Sequence, residues 1–291
     1  MERERWNQLY RLAVELSRGW RDGHCFSAAV IVGVYLWSVL HDRPVCWACD
    51  ARNWPEEMKL GRLPSQGTMS RRLRTAAVQD LLLLMEAALR EVSRDPETEA
   101  APLVADGKPL VVGGYSKDSD AKFGRAAGGF ARGYKFEAFW GNAAMPEVWG
   151  VWSMNVNEKV MAKELVAHLP GTGWIFGDAE YDGNELYDTC FEHGYRLIAP
   201  RQQRGEFGHH YQSAHRLYAA DLMEGSTGFA KLFHAHRTGI ERRFGNWTSF
   251  GGGLAPFPAW VRRAPRVRLW TRAKLLINAC RILQLRVRAS A

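Results

Sequence analysis

The sequence predicts an α/β protein, in which a mixed five-stranded sheet flanked by helices follows an all-α N-terminal domain. Apolar residues recur at helical spacing over the first 95 residues. A polar stretch with two prolines follows at 91–102, and short apolar strands then alternate with amphipathic helices. That order of elements is typical of a mixed sheet with helices on its faces. The expected domains are therefore 1–98, helical, and 99–291, α/β.

The helical region contains two amphipathic stretches and one apolar run. Apolar residues recur every three or four positions from Trp6 to Trp20 and again from Val78 to Leu89. Between them, Cys25 to Leu40 form a run of 16 mostly apolar residues. A membrane-spanning helix needs about 20 such residues. We therefore expect a buried helix here and no membrane partner.

Pro64 and Ser65 predict the start of a short helix, with the basic cluster Arg71, Arg72 and Arg74 one or two turns further on. A short helix of this kind, placed before the long apolar helix, could feed a helix-turn-helix element that reads DNA. The alternative is a solvated basic helix face. The residue pattern leaves both interpretations open.

The second region contains five apolar segments that predict strands. The first, Leu103 to Gly113, is expected to be interrupted by a turn at Gly107. Asp118 and Asp120 then fall in a glycine- and lysine-rich loop, where we expect them to be solvated. The other strands are expected at 134–140, 148–156, 174–176 and 195–199, and helices at 158–169, 184–193, 226–247 and 266–287.

Two acidic residues stand where strand residues should be apolar. Asp106 lies within LVADGKPLVV, and Asp178 ends the segment WIFGD. A carboxylate in such a place costs free energy unless water or a cation stabilises it. Catalytic and ligand-binding groups gather at strand ends in α/β sheets, and two neighbouring carboxylates repel unless a cation lies between them. Each residue alone could be a turn or cap, but the pair is typical of a site for a hard cation such as Mg²⁺.

The net charge of +8 is concentrated at one end of the chain. Residues 231–291 contain 13 Lys and Arg and a single acidic residue, Glu241, which gives this segment a net charge of +12. Such a segment indicates a polyanionic partner. Glu241 follows Arg237 by one helical turn, so the two form either a surface ion pair or part of a metal site that binds phosphates.

In order, Asp106, Asp178 and Glu241 resemble the catalytic residues of the DDE transposases of bacterial insertion sequences. The segments VADGKPL, SKDSDAKFG with RGYKFEAFWG, GDAEYDGNELYD and RTGIERRFGNW are similar to successive motifs of that family, and LPSQGTMSRRL to the segment before its core. The resemblance implies an RNase-H-like catalytic core of the retroviral-integrase type. It also implies Mg²⁺ or Mn²⁺ held by the three carboxylates, phosphodiester cleavage at element ends, and strand transfer into target DNA.

The resemblance further implies DNA, both element ends and target, as the partner. The protein would act as a homodimer in a DNA complex, in the cytoplasm at the nucleoid of a bacterium. Arg237 would position a phosphate or hold Glu241 in orientation. The other residues expected to bind DNA are basic side chains of the N-terminal domain and of the C-terminal segment: Arg71, Arg72, Arg74, Arg242, Arg243, Arg262, Arg263 and Arg266.

Two positions of the glutamate motif differ from the family pattern. The family has a Tyr seven positions before the Glu and a Lys seven after it, where this chain has His234 and Thr248. These differences motivate an alternative function, a non-catalytic DNA-binding protein derived from a transposase. A metal-dependent nuclease on the same core is a further alternative. The presence of all three carboxylates in order favours the transposase.

Overall fold

The computed structural model describes the chain except for residues 22, 59, 96–100, 127, 203–209, 249–252, 255–256 and 291, and it leaves out the side chains of 289–290. The chain forms two compact units. The helical unit comprises Met1–Arg94, Trp247–Val261 and Leu269–Ala291, and the sheet unit comprises Asp95–Asn246 and Arg262–Arg268.

The helical unit contains α1 (Glu2–Leu16), α2 (Ala28–Leu40), α3 (Val45–Ala48), α4 (Gln66–Arg72), α5 (Ala76–Ser93) and most of α10 (Ala264–Ser290). The sequence division at residue 98 assigned the whole of α10 to the second domain. The structure instead packs α10 from Leu269 onward with the N-terminal helices. Two ion pairs hold it there: Arg272 Nε lies 2.9 Å from Glu86 Oε1, and Lys274 Nζ lies 2.5 Å from Asp42 Oδ1.

Helix α2 is the buried helix expected from the apolar run. Its side chains are almost entirely inaccessible to water, and Ser27 caps its first turn by accepting a hydrogen bond from the Val30 amide at 3.3 Å. The Trp6 indole donates to the Gly33 carbonyl at 2.8 Å, which ties α1 to α2. Over the part of the chain that the structure describes, no helix is long and apolar enough to cross a membrane.

Helix α4 begins where Pro64 and Ser65 predict. The Ser65 hydroxyl accepts a hydrogen bond from the Thr68 amide at 3.2 Å, so it satisfies one free donor of the first turn. Arg71 and Arg74 are exposed. Arg72, expected on a basic surface, is buried and donates to the Phe26 carbonyl at 3.1 Å. Arg72 therefore belongs to the helical core rather than to an exposed basic face.

The sheet unit is built on a six-stranded mixed sheet in the order β2-β3-β1-β5-β6, with β4 also paired to β3. Pairs β1–β3, β2–β3 and β3–β4 are antiparallel, and pairs β1–β5 and β5–β6 are parallel. This confirms the predicted mixed sheet after a helical N-terminal region. The strands are β1 (Leu103–Val111), β2 (Lys122–Ala126), β3 (Gly129–Trp140), β4 (Val148–Ser153), β5 (Gly173–Phe176) and β6 (Tyr195–Ile198).

Strand β1 runs through Gly107 without a turn, which corrects the expected interruption. Gly107 pairs with Glu137 of β3, and a Cβ atom at Gly107 would lie 2.5 Å from Glu137 Oε2. The glycine is therefore needed for space beside a buried side chain. Strand β2 was missed because its sequence, KFGRA, has charges and a glycine in place of apolar alternation.

Four helices complete the sheet unit: α6 (Glu158–Val166), α7 (Asn184–Glu192), α8 (Ala214–Gly225) and α9 (Thr227–Thr248), the last belonging to this unit up to Asn246. Helix α9 packs against one face of the sheet. Its Phe233 ring centroid lies 5.1 Å from that of Phe176 on β5, and its Phe244 ring meets Phe136 and Trp140 of β3 edge to face. This packing brings the glutamate motif onto the sheet.

Candidate active site

Asp106 and Asp178 lie at the same place in the sheet because β1 and β5 run in parallel. Val104 pairs with Phe176, and each aspartate follows its member of this pair by two residues. Asp106 is within β1, and its Oδ1 accepts a hydrogen bond from the Gly107 amide at 2.9 Å. Asp178 follows the end of β5, caps a 3₁₀ turn at Ala179–Tyr181, and accepts from the Glu180 amide at 2.8 Å.

Helix α9 adds Arg237 and Glu241 to the two aspartates. Arg237 Nη1 donates to the Ala105 carbonyl of β1 at 3.1 Å. Its Nη2 lies 3.8 Å from Asp178 Oδ2 and 4.0 Å from Glu241 Oε1. The Arg237 side chain is only 13% exposed, whereas that of Glu241 is 65% exposed. One arginine thus contacts all three elements that carry the predicted carboxylates.

The pKa of Asp106 is raised to about 6, chiefly by burial; Arg237 and the Gly107 amide lower it, and the carboxylates of Asp178 and Glu241 raise it. Asp178 and Glu241 therefore lie close enough for their negative charges to disfavour ionisation of Asp106. A positive charge placed among them would lower the pKa of Asp106 again.

Three carboxylates are hard oxygen donors, which is the donor type that Mg²⁺ and Mn²⁺ take. Across the ranges that the structure describes, no group of three or more His, Cys, Asp or Glu side chains converges on a point that could hold a metal ion. In the arrangement described, the guanidinium of Arg237 lies beside Asp178 and Glu241 instead. The chemistry of the three carboxylates suits a divalent cation. In this structure the positive charge beside them comes from Arg237.

A fourth carboxyl group, Glu137 of β3, lies behind this site and was missed by the sequence analysis. Its side chain is fully buried, it accepts a hydrogen bond from the Tyr181 hydroxyl, and its Oε2 has no hydrogen-bond partner among the described residues. Burial raises the pKa of Glu137 well above its usual range, which favours the neutral form of this carboxyl group. The available signal was an acidic residue inside the apolar strand YKFEAFW.

The second-aspartate motif is held by two of its own side chains. Tyr181, three residues after Asp178, reaches Glu137 and so links the turn to β3. Asp182 is buried and accepts two hydrogen bonds from Arg216 of α8, each 2.6 Å long, and a third from the Gln202 amide at 2.9 Å. These bonds fix the segment that carries Asp178.

The remaining predicted DNA-binding residues divide by exposure. Arg242 on α9 is exposed, whereas Arg243 donates to the carbonyls of Gly141 at 2.7 Å and Ala143 at 3.2 Å, and so fastens α9 to the loop after β3. Arg262, Arg263 and Arg266 are exposed around the start of α10. His234 is also exposed, and Thr248 is the last residue of α9.

Asp118, expected to be solvated, is buried instead. Its Oδ2 accepts from the Tyr134 hydroxyl at 2.7 Å and from the Arg263 amide at 2.9 Å. Arg263 also donates to Ser119 and, at 3.1 Å, to Asp120 Oδ1. These hydrogen bonds therefore fasten the loop before β2 to the segment Arg262–Arg268.

Comparison with known proteins gives one family and one solved structure. The family model for the transposase DDE domain matches residues 98–262, which include Asp106, Asp178 and Glu241. No curated protein sequence matches the chain. A cryo-EM structure of a piggyBac transposase synaptic complex with hairpin DNA aligns at a TM-score of 0.34 and 12% identity, over 70% of this chain and 50% of that one. The chain thus spans about half the length of that protein.

Proposed function

Because this chain belongs to the transposase DDE domain family, we propose that it is a metal-dependent DNA transposase. The observation that carries the proposal is that Arg237 lies beside Asp178 and Glu241 and bonds the backbone next to Asp106, whose pKa responds to all three charged groups. These carboxylates come from positions 72 and 63 residues apart in the chain. A surface ion pair would need only Arg237 and Glu241, whereas a site for phosphoryl transfer needs all three carboxylates.

The roles of the chain's own groups follow from their environment. Asp106, Asp178 and Glu241 would hold Mg²⁺ or Mn²⁺, which when bound stabilises negative charge on the attacking and leaving oxygens of a phosphodiester. Arg237 is mostly buried and bonded to β1, which supports an orienting role rather than direct contact with DNA. Glu137 and Tyr181 would position Asp178 from behind.

The proposed DNA-binding residues are the exposed basic side chains among those predicted, because phosphate contacts need accessible guanidinium groups. They are Arg71, Arg74, Arg242, Arg262, Arg263 and Arg266. DNA, as element ends and as target, is the proposed partner, bound by a homodimer at the nucleoid of a bacterial cell.

A plasmid that carries the coding region with its native flanking DNA tests the proposal. We expect the purified protein to cleave it at the flanks in Mg²⁺, and to join the freed ends to a second plasmid. Asp178→Ala should lower the rate of cleavage by at least about 100-fold, because it removes a group that acts in the transition state. Asp221→Ala, a change of an exposed aspartate on α8, is the matched control and should leave the rate unchanged.

Other outcomes distinguish the alternatives. Salt-sensitive binding of DNA by the parent without any cleavage identifies a non-catalytic DNA-binding protein. The differences at His234 and Thr248 motivate this alternative. Cleavage without joining of the ends to target DNA identifies a nuclease. Equal cleavage by the parent and Asp178→Ala contradicts the assignment of the active site.

A further inference from the structure

Strands β2 and β3 form a hairpin that presents two phenylalanines to water. Phe123 is 69% exposed and Phe130 is 80% exposed. In the antiparallel register Phe123 pairs with Arg132, and Arg125 pairs with Phe130. Paired residues point to one face of a sheet, as do residues two apart on one strand. Both phenylalanines and Arg125 therefore share one face of the hairpin.

Ion pairs connect this hairpin to the active site at one end and to a basic segment at the other. Arg125 Nη1 lies 3.8 Å from Glu180 Oε1. The Glu180 backbone amide in turn donates a hydrogen bond to Asp178 Oδ1. At the other end, Asp120 precedes β2 by two residues and accepts hydrogen bonds from Arg263 and from the Ala264 amide, both at 3.1 Å. The hairpin thus lies between the Asp178 segment and the start of α10.

The exposed charges on and around the hairpin are mostly positive. Lys122 and Arg125 are exposed on β2, and Lys117 is exposed in the preceding loop. The acids nearby are engaged: Glu180 with Arg125, and Asp120 with Arg263. Arg262, Arg266 and Arg268 extend the exposed positive charge from the start of α10.

We infer that the β2–β3 hairpin is a binding site for unpaired DNA beside the cleavage site, with Phe123 and Phe130 stacking on bases and Arg125, on the same face, contacting phosphates. Aromatic side chains set among cations are how proteins hold unstacked nucleotides, because every base has a face on which a ring can stack. Exposed aromatic side chains that share one face are typical of an interaction surface. The inference rests on the proposed function, since it supplies the DNA at the site.

Binding to two fluorescent DNA duplexes in EDTA tests the inference: one is fully paired, and the other ends in five unpaired nucleotides. We expect the parent to prefer the unpaired end, and the double variant Phe123→Ala/Phe130→Ala to lose at least about 30-fold in affinity for it, as expected for two lost stacks. Affinity for the paired duplex should change less than twofold. Both residues are exposed, so the variant should fold, and Val160→Ala on α6, 44% exposed, is the control.

Two results overturn the inference. One is an unchanged preference for the unpaired end in the double variant. The other is a dimer of the parent that the double variant dissociates, which would make a second copy of the chain the occupant of the hairpin. The cleavage experiment tests the proposed function separately. If the parent cleaves DNA and the double variant keeps its preference for the unpaired end, only the proposed role of the hairpin is overturned. If the parent does not cleave DNA, the proposed function is overturned.

Discussion

Asp106 carries its carboxyl group in a place that water reaches poorly, and burial raises its pKa to about 6. Within this net rise, Arg237 lowers the pKa and the carboxylates of Asp178 and Glu241 raise it. A strand residue with this chemistry is the strongest single sign of function in the sequence, because it costs stability that an apolar residue would not cost. The pH dependence of this contribution to stability can be measured.

In metal-free protein, folded Asp106 keeps its proton up to a pH of about 6, while the unfolded chain releases it near 3.8. The folded state therefore binds the extra proton between these values, and the Asp106 contribution to unfolding free energy falls as the pH rises from about 4 to 6, by at most about 3 kcal/mol. Urea unfolding in EDTA of the parent and Asp106→Asn measures it. The difference between the two curves should change across this window and be flat above it; parallel curves would contradict the assignment.

Gly107 tests the space around the buried acid. Because a Cβ atom there would lie 2.5 Å from Glu137 Oε2, we expect Gly107→Ala to lower the free energy of unfolding by about 1–3 kcal/mol. Gly113→Ala, where a Cβ meets nothing within 4 Å, is the matched control and should stay within about 0.5 kcal/mol of the parent. Glu137→Ala should relieve the Gly107→Ala clash in the double variant. Equal effects of the two glycine substitutions would show that Glu137 does not require the space.

At the scale of elements, α10 depends on buried ion pairs to stay with the N-terminal helices. The Arg272 and Glu86 side chains are 13% and 6% exposed, whereas those of Arg288 and Glu4, which pair at 3.1 Å, are about half exposed. We expect Glu86→Gln to cost about 3 kcal/mol, because it leaves a mostly buried guanidinium without its counter-charge. Glu4→Gln should cost less than about 1 kcal/mol. Similar losses in chemical denaturation would contradict the ranking.

The predicted and observed elements agree where apolar periodicity is strong. Helix α9 spans Thr227–Thr248, close to the predicted 226–247, because Phe233, Ile240 and Phe244 recur on the face that packs against the sheet. Helix α8 was missed by the sequence analysis, and of its residues only Ala219 and Ala220 are buried. Helix α8 places Arg216 against Asp182. These residues are 34 positions apart, so the pattern of neighbouring residues in the sequence does not reveal the contact.

At the scale of the whole molecule, the sequence singles out the three carboxylates as candidates but does not reveal their surroundings. Asp106 and Asp178 stand out as acids in apolar strands, and Glu241 as the sole acid of a basic segment. Arg72 and Arg243 look like their exposed neighbours in the sequence, and only packing shows that they bond to backbone carbonyls. Burial of a cation is a property of the fold, so a basic cluster in sequence overstates the surface available to DNA.

We propose that Asp106, Asp178 and Glu241 hold a divalent cation at the site where DNA is cleaved. Replacing Asp178 by cysteine tests it most directly, because a thiolate binds Mg²⁺ poorly and softer metals well. Measured as cleavage of the plasmid that carries the native flanks, Asp178→Cys should be inactive in Mg²⁺ and should regain activity in Mn²⁺ with a trace of Cd²⁺, while the parent works in Mg²⁺. Cleavage by Asp178→Cys at the parental rate in Mg²⁺ would contradict the account.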